Sequence, residues 1–365
     1  MKIEAAREKL VDAISKADKI TGKNLTLPVL SCILFEATKH DLIIRSTNMD
    51  LGIEITIPVK VYTEGKVAIP GSIISNFLSN ISSNLITLEV IEGNVKVTTD
   101  SNTTVIKSLN HDDFPTIPML EGDKKLLLAA RDLVKGIKSV SYASATSSMK
   151  PELSSVYIYS DDDQVVFVAT DSFRLAEKKV KMKNAQDIGQ LLIPVKSIND
   201  IIRILDACHG DVEVALTKNQ ISFKFDGTYL TSRVVDGVFP DYRQIIPKEY
   251  KTVCTVLKQD LIKALKIATL FSDKFNKLNF KILPSEKKFM LSTRNADVGE
   301  NSTALEAVCE GDDLEINYNY KYVVDCFQSV DSDSVALEFN GLNRPLVIRG
   351  VNERSFLYLV MPINK

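Results

Sequence analysis

One pattern is written three times along this chain. Thr47, Thr170 and Thr293 each close an apolar, strand-like run, and each lies 123 residues from the next. They open the segments Thr47-Asn48-Met49-Asp50-Leu51, Thr170-Asp171-Ser172-Phe173-Arg174-Leu175 and Thr293-Arg294-Asn295-Ala296-Asp297. A helical stripe precedes each one: Leu10/Val11/Ile14/Ala17, Leu133/Val134/Ile137/Val140 and Leu261/Ile262/Leu265/Ala268. A second stripe follows: Ile74/Phe77/Leu78/Ile81, Ile198/Ile201/Ile202/Leu205 and Tyr320/Val323/Val324/Phe327. Three landmarks repeated in one order are the signature of an internal repeat. A unit of this length encloses its own core, which predicts three domains rather than a solenoid. The expected boundaries are 1–121, 122–249 and 250–365, with Phe114-Pro115 and Phe239-Pro240 punctuating the joins.

Between the helices the period changes to two. Ile86 to Val90 with Val95 to Val97, Val212 to Leu216 with Ile221 to Phe223, and Val335 to Phe339 with Leu346 to Ile348 each read as strand, turn, strand. The expected fold class is α+β, each domain an antiparallel sheet structure backed by two helices. Equivalent domains joined head to tail form heterologous contacts, which close into a ring or run on as a filament. Closure by this chain would take a second copy. The apolar segments near the two ends, with Ile106 and Leu109 in the first unit and Leu270 and Phe271 in the third, are the candidate dimer contacts.

A net charge of −2 argues against coating nucleic acid by bulk attraction, so the distribution of charge matters more than its total. Arg131, Lys135 and Lys138 lie off the stripe of the second unit's first helix; Lys258, Lys263 and Lys266 do so in the third, and Arg7, Lys9, Lys16 and Lys19 in the first. Lys196, Arg203 and Lys321 continue the pattern on the later helices. Basic outer faces repeated from unit to unit suit phosphate binding. The charged start, Met1-Lys2-Ile3-Glu4, lacks the apolar region of an export signal, and the longest apolar stretch is too short to span a bilayer, so a soluble, cytoplasmic protein is expected. The five scattered cysteines, Cys32, Cys208, Cys254, Cys309 and Cys326, indicate neither a disulfide framework nor a thiolate metal site.

Catalytic constellations are missing. No phosphate-binding glycine loop, His-Glu-x-x-His or Gly-x-Ser-x-Gly occurs, and His40, His111 and His209 are not spaced for a shared metal, so no enzyme activity, cofactor or metal is expected. The residues by themselves fit a binding ring or a monomeric three-domain adaptor, which differ in mass in dilute solution.

Thr170-Asp171-Ser172-Phe173-Arg174-Leu175 resembles the Thr-Asp-[Gly/Ser]-His-Arg-Leu signature of the bacterial beta sliding clamp family. Leu25-Thr26-Leu27-Pro28-Val29-Leu30, Phe239-Pro240-Asp241-Tyr242-Arg243 and the ending Tyr358-Leu359-Val360-Met361-Pro362-Ile363 are similar to the family as well, so the resemblance covers the whole chain. It implies a non-catalytic DNA polymerase processivity factor: a head-to-tail homodimeric ring of six domains, with helices lining a hole for duplex DNA, gripped without regard to sequence. It also implies a pocket for short peptides of the replicative polymerase, clamp loader, other polymerases and repair proteins. Carried over, that pocket comprises Leu153, Thr170, Ser172, Phe173, Arg174, Leu175, Pro240, Gln244, Ile245, Val360, Met361, Pro362 and Ile363. Lys23, Asn24, Lys150 and Lys196 are the implied DNA contacts, joined by Lys135 and Lys138 from the basic helix. Phe173 stands where the family commonly has histidine and Gln244 where a second arginine is frequent, which implies a different peptide preference.

Overall fold

A computed structural model describes residues 1–22, 26–120, 125–183 and 188–363. The described residues contain six α-helices, two per repeat: α1 Arg7–Ile20, α2 Gly71–Asn80, α3 Ala130–Lys138, α4 Val195–Leu205, α5 Lys258–Thr269 and α6 Tyr320–Asp325. Each helix coincides with a stripe read from the sequence. Leu10, Ile14 and Ala17 are buried on α1, Ile198, Ile201 and Leu205 on α4, and Leu261, Leu265 and Ala268 on α5. On α6 the stripe is narrower than expected: Val323 is buried but Val324 is partly exposed, because the helix tightens after six residues into the 3-10 turn Cys326–Gln328. Helix α3 carries Gly136 inside its apolar face. A side chain there would begin 2.2 Å from the Phe167 ring, so glycine's helix penalty of about 1 kcal/mol is offset by close packing on that ring.

The fold divides into two compact units, residues 1–131 with 196–234 and residues 132–195 with 235–365, so the middle repeat contributes to both. The first unit holds a five-stranded sheet with edges Lys60–Thr63 and Thr103–Ile106, and an eight-stranded sheet with edges Lys125–Ala129 and Gly65–Pro70. The second holds a nine-stranded sheet with edges Gln190–Pro194 and Ala307–Gly311, and a four-stranded sheet with edges Gly299–Leu305 and Leu314–Asn319.

The long sheets arise because repeats join strand to strand. In the first unit Thr228–Arg233 pairs antiparallel with Leu51–Pro58, Leu230 opposite Ile53. In the second, Phe356–Val360 pairs antiparallel with Arg174–Lys181, Tyr358 opposite Ala176. Thr47 faces Gly52 and Thr170 faces Leu175 across their hairpins, so Ile53 and Ala176 occupy equivalent places. Leu230 and Tyr358 are equivalent too, through their partners Phe223 and Ile348. The two joints share one register.

Two expectations are corrected. The third threonine is one residue out of phase with the others: Ile44, Phe167 and Leu291 are equivalent, facing Phe35, Ile158 and Phe280, which aligns Thr293 with Ser46. Accordingly the Thr293 hydroxyl donates to the Ala268 carbonyl at 2.9 Å, as Ser46 does to Ala17 at 2.6 Å. Cys254 and Cys309 are bonded as a disulfide, because antiparallel pairing of Thr252–Leu257 with Ala307–Gly311 sets them directly opposite across a separation of 55 residues. Cys32, Cys208 and Cys326 are buried free thiols.

Candidate functional site

The turn after Thr170 is built by its own side chains. The Thr170 hydroxyl donates to the Arg174 carbonyl at 2.7 Å and accepts from the Ser172 amide, while Asp171 Oδ1 accepts from the amides of Phe173 and Arg174 at 2.9 and 3.0 Å. Such Asx-type bonding holds Ser172 in the left-handed region at φ 79°, where a non-glycine residue is uncommon. The turn after Thr47 repeats the design, with Asn48 in Asp171's role and Met49 at φ 77°. The consequence at the second turn is that the Phe173 ring projects, 61% exposed.

Arg174 is the electrostatic centre of this region. Its guanidinium donates to Asp171 at 3.0 Å, to Asp325 and to the Tyr142 carbonyl at 2.6 Å, and it lies 4.6 Å over the Tyr322 ring. Burial by itself would lower its pKa, but Tyr358, Asp325 and Asp171 raise it, so the guanidinium stays charged. Through these bonds Arg174 ties the turn after Thr170 to α6 and to Tyr142. Asp325 and Tyr322 were not among the sequence candidates. They lie three apart on α6, off the apolar stripe, and that spacing was the only local sign.

Other expected pocket residues gather by strand pairing. Arg174 lies opposite Val360 and Leu175 opposite Leu359; the Met361 amide donates to the Phe173 carbonyl at 2.8 Å and the Ile363 amide to the Asn317 carbonyl at 2.8 Å. Val360 is fully buried, Met361 partly exposed, and Pro362 half-buried. The linker after the middle repeat lays Phe239 and Tyr242 on an apolar cluster that includes Leu175, Val168 and Leu359, leaving Pro240 and Ile245 exposed. Gln244 is turned to Asp241, to whose carboxylate it donates at 2.7 Å. Leu153 is buried in the turn that begins at Lys150, and Thr170 faces Leu175.

The basic candidates have mixed surroundings. Lys135, Lys138, Lys150 and Lys196 are exposed, but Lys135 pairs with Asp331 at 2.8 Å and Lys196 with Asp50 at 2.7 Å. Lys258 turns to the Val330 carbonyl and Arg7 to the carbonyls of Leu78 and Ser79 at the end of α2, so both have structural duties. Lys23 and Asn24 lie outside the described residues, as does the expected first boundary at 121.

Of the edge candidates, Ile106 is turned into its own sheet, 5% exposed, and the apolar side chain offered by that edge is Val105, at 61%. This inverts the expectation, because alternate residues of a strand face opposite ways and the pleat turns Ile106 inward and Val105 outward. Leu109, Leu270 and, in part, Phe271 are exposed.

Three family models match the chain: DNA polymerase III beta subunit N-terminal domain over residues 1–118, central domain over 128–241 and C-terminal domain over 243–364. Beta sliding clamps of Staphylococcus aureus and Staphylococcus epidermidis are each 24% identical over 373 residues, spanning 100% of this chain and 99% of theirs. Among solved structures, the DNA polymerase sliding clamp of Bacillus subtilis and the DNA polymerase III beta subunit of Thermotoga maritima each superpose with a TM-score of 0.94 at 24% identity, covering 100% of this chain and 99% of theirs.

Proposed function

Because this chain belongs to the DNA polymerase III beta subunit family, the non-catalytic sliding clamps that give the polymerase its processivity, we propose that it works as a head-to-tail homodimer closed around duplex DNA. The observation that carries the closure is the sheet pairing. Both joints between consecutive repeats use one strand pair in one register, and the two remaining strands of this kind are sheet edges with one side open, Thr103–Ile106 in the first repeat and Gly299–Leu305 in the third. A second copy supplies the missing partners. In the shared register Thr104 opposes Asn301 and Val105 opposes Glu300 of the other protomer, which removes two exposed edges at once.

Within such a ring, topology retains the protein and phosphate contacts need only be weak and sequence-independent. Lys135, Lys138, Lys150 and Lys196 are our candidates for these contacts, with Lys23 and Asn24 carried by resemblance. The surface bounded by Leu153, Thr170, Ser172, Phe173, Leu175, Pro240, Gln244, Ile245 and Val360 to Ile363 is proposed to receive short apolar peptide anchors of polymerases, the clamp loader and repair proteins. An exposed methionine and isoleucine beside buried apolar strands suit varied anchors. The decisive experiment compares nicked circular with short linear DNA: loaded protein should remain on the circle at a salt concentration that strips it from linear duplex. Equal loss from both would refute closure.

A further inference from the structure

The linker wall of the pocket is pinned by a buried hydrogen-bond chain. The Tyr242 hydroxyl donates to the Glu177 carboxylate, the Tyr159 and Tyr242 hydroxyls are 2.8 Å apart, and Arg243 donates to the Tyr159 hydroxyl at 2.9 Å with its guanidinium 5.3 Å from that ring. The order of protons follows from the ends. Arg243 only donates and the carboxylate accepts, so Tyr159 donates to Tyr242 and Tyr242 to Glu177. All three inner residues are less than a tenth exposed: Tyr159 6%, Tyr242 6% and Glu177 8%. Burial and the neighbouring Glu177 carboxylate push the Tyr242 hydroxyl far up, which keeps it a donor.

The placement of this chain gives it a consequence for binding. Glu177 lies two residues beyond Leu175 on the strand that pairs with Phe356–Val360, while Tyr242 opens the turn Tyr242–Ile245 that carries Gln244 and Ile245. The stacking of Phe239 on Tyr157 at 4.8 Å and the apolar contacts beneath the linker hold it down, but apolar burial is non-directional and does not fix its lateral position. A charge-assisted hydrogen bond of set length does.

We propose that Glu177, Tyr242 and Tyr159 are positioning residues, which set the distance between the linker wall bearing Pro240 and Ile245 and the strand end that carries the exposed Met361, and so set the affinity of the peptide pocket. This rests on the peptide-pocket reading above. The test uses the full chain with a synthetic peptide carrying leucine and phenylalanine anchors, measured by calorimetry, together with hydrogen exchange of the amides of residues 242–246. Tyr242→Phe keeps the ring in its apolar bed and removes only the hydroxyl; it should weaken the peptide about tenfold and speed exchange in 242–246, while residues 174–178 keep their protection. Glu177→Gln retains an acceptor oxygen but loses the charge, and should weaken the peptide by less than Tyr242→Phe does; equal or greater weakening would place the effect in the charge and not in the bond. A parent that binds while Tyr242→Phe binds equally well overturns this proposal and leaves the pocket reading standing. Loss of protection in Tyr242→Phe spread evenly over the protein, residues 174–178 included, overturns it as well, since it would mark a merely structural bond. A parent that binds no such peptide overturns the pocket reading and the proposal together.

Discussion

The Met361 amide donates to the Phe173 carbonyl at 2.8 Å, which stitches the end of the chain to the loop that presents the exposed Phe173 ring. The bond is between backbones, so a substitution at Met361 keeps it. Met361→Glu should therefore leave the melting temperature within a few degrees of the parent while costing peptide binding about 2 kcal/mol, roughly thirtyfold. Truncation from Met361 onward also forfeits the Ile363 bond to Asn317, and should lower stability as well. Calorimetry paired with thermal melting separates the two, and undiminished affinity in Met361→Glu would move the pocket elsewhere.

Phe173→His introduces the residue that the resemblance implies for this position, on a side chain that is mostly in solvent. With so little burial to lose, the fold should be indifferent to the change. Peptide affinity should shift by less than about tenfold, measured by fluorescence anisotropy; abolished binding would show that the aromatic ring is itself an anchor.

The shared register of the two internal joints gives the dimer interface a residue-level test. Thr104→Cys combined with Asn301→Cys should cross-link into a covalent dimer under mild oxidation, whereas Thr104→Cys with Ser302→Cys, one residue out of register, should do so poorly. Val105→Glu, opposite Glu300, should yield a folded monomer in sedimentation. Ile106→Glu should instead unfold the first repeat's edge, since that side chain is buried in its own sheet. A monomeric parent would refute the ring.

Asp331 is bonded to Lys135 at 2.8 Å, so under the proposed DNA-contact role of Lys135 this carboxylate would compete with phosphate for it. Asp331→Asn should strengthen DNA binding. Replacing Lys135, Lys138 and Lys196 by alanine should weaken it on all sequences and flatten the salt slope by about one unit for each phosphate no longer neutralised. A salt slope unaltered by the triple substitution would exclude these side chains from the nucleic-acid face.

The same carboxylate sets a pH dependence. The Lys135 hydrogen bond, with Lys178 assisting, holds Asp331 below its ordinary value of 3.8. A depressed carboxylate contributes stability that is complete above the unfolded-state pKa and is lost as the pH falls through the lower folded-state value. The melting difference between the parent and Asp331→Asn should accordingly be steady near neutrality and shrink below about pH 4. A difference constant across that range would show that the pair contributes nothing.

The triplication, the α+β class, all six helices and the three paired strand runs near the repeat ends are legible in the chain's local patterns. Those features rest on local periodicity, and a stripe such as Leu261/Leu265/Ala268 needs no distant partner to be read. The sequence also carried the turn chemistry after Thr47 and Thr170, where Asn48 and Asp171 act within three residues of themselves. Features that depend on pairing between distant strands arise only in the folded chain. The pleat turned Ile106 inward and Val105 outward, a one-residue phase shift aligned Thr293 with Ser46, and an antiparallel register brought Cys254 against Cys309. The same holds for the site. Signature residues marked the Thr170 turn and the chain end, but the anchoring of Arg174 by Asp325, 151 positions away, and of Tyr242 by Glu177, 65 positions away, exists only once the sheet has formed. A buried charge takes whichever partner the fold delivers, and no local pattern in the chain records that choice.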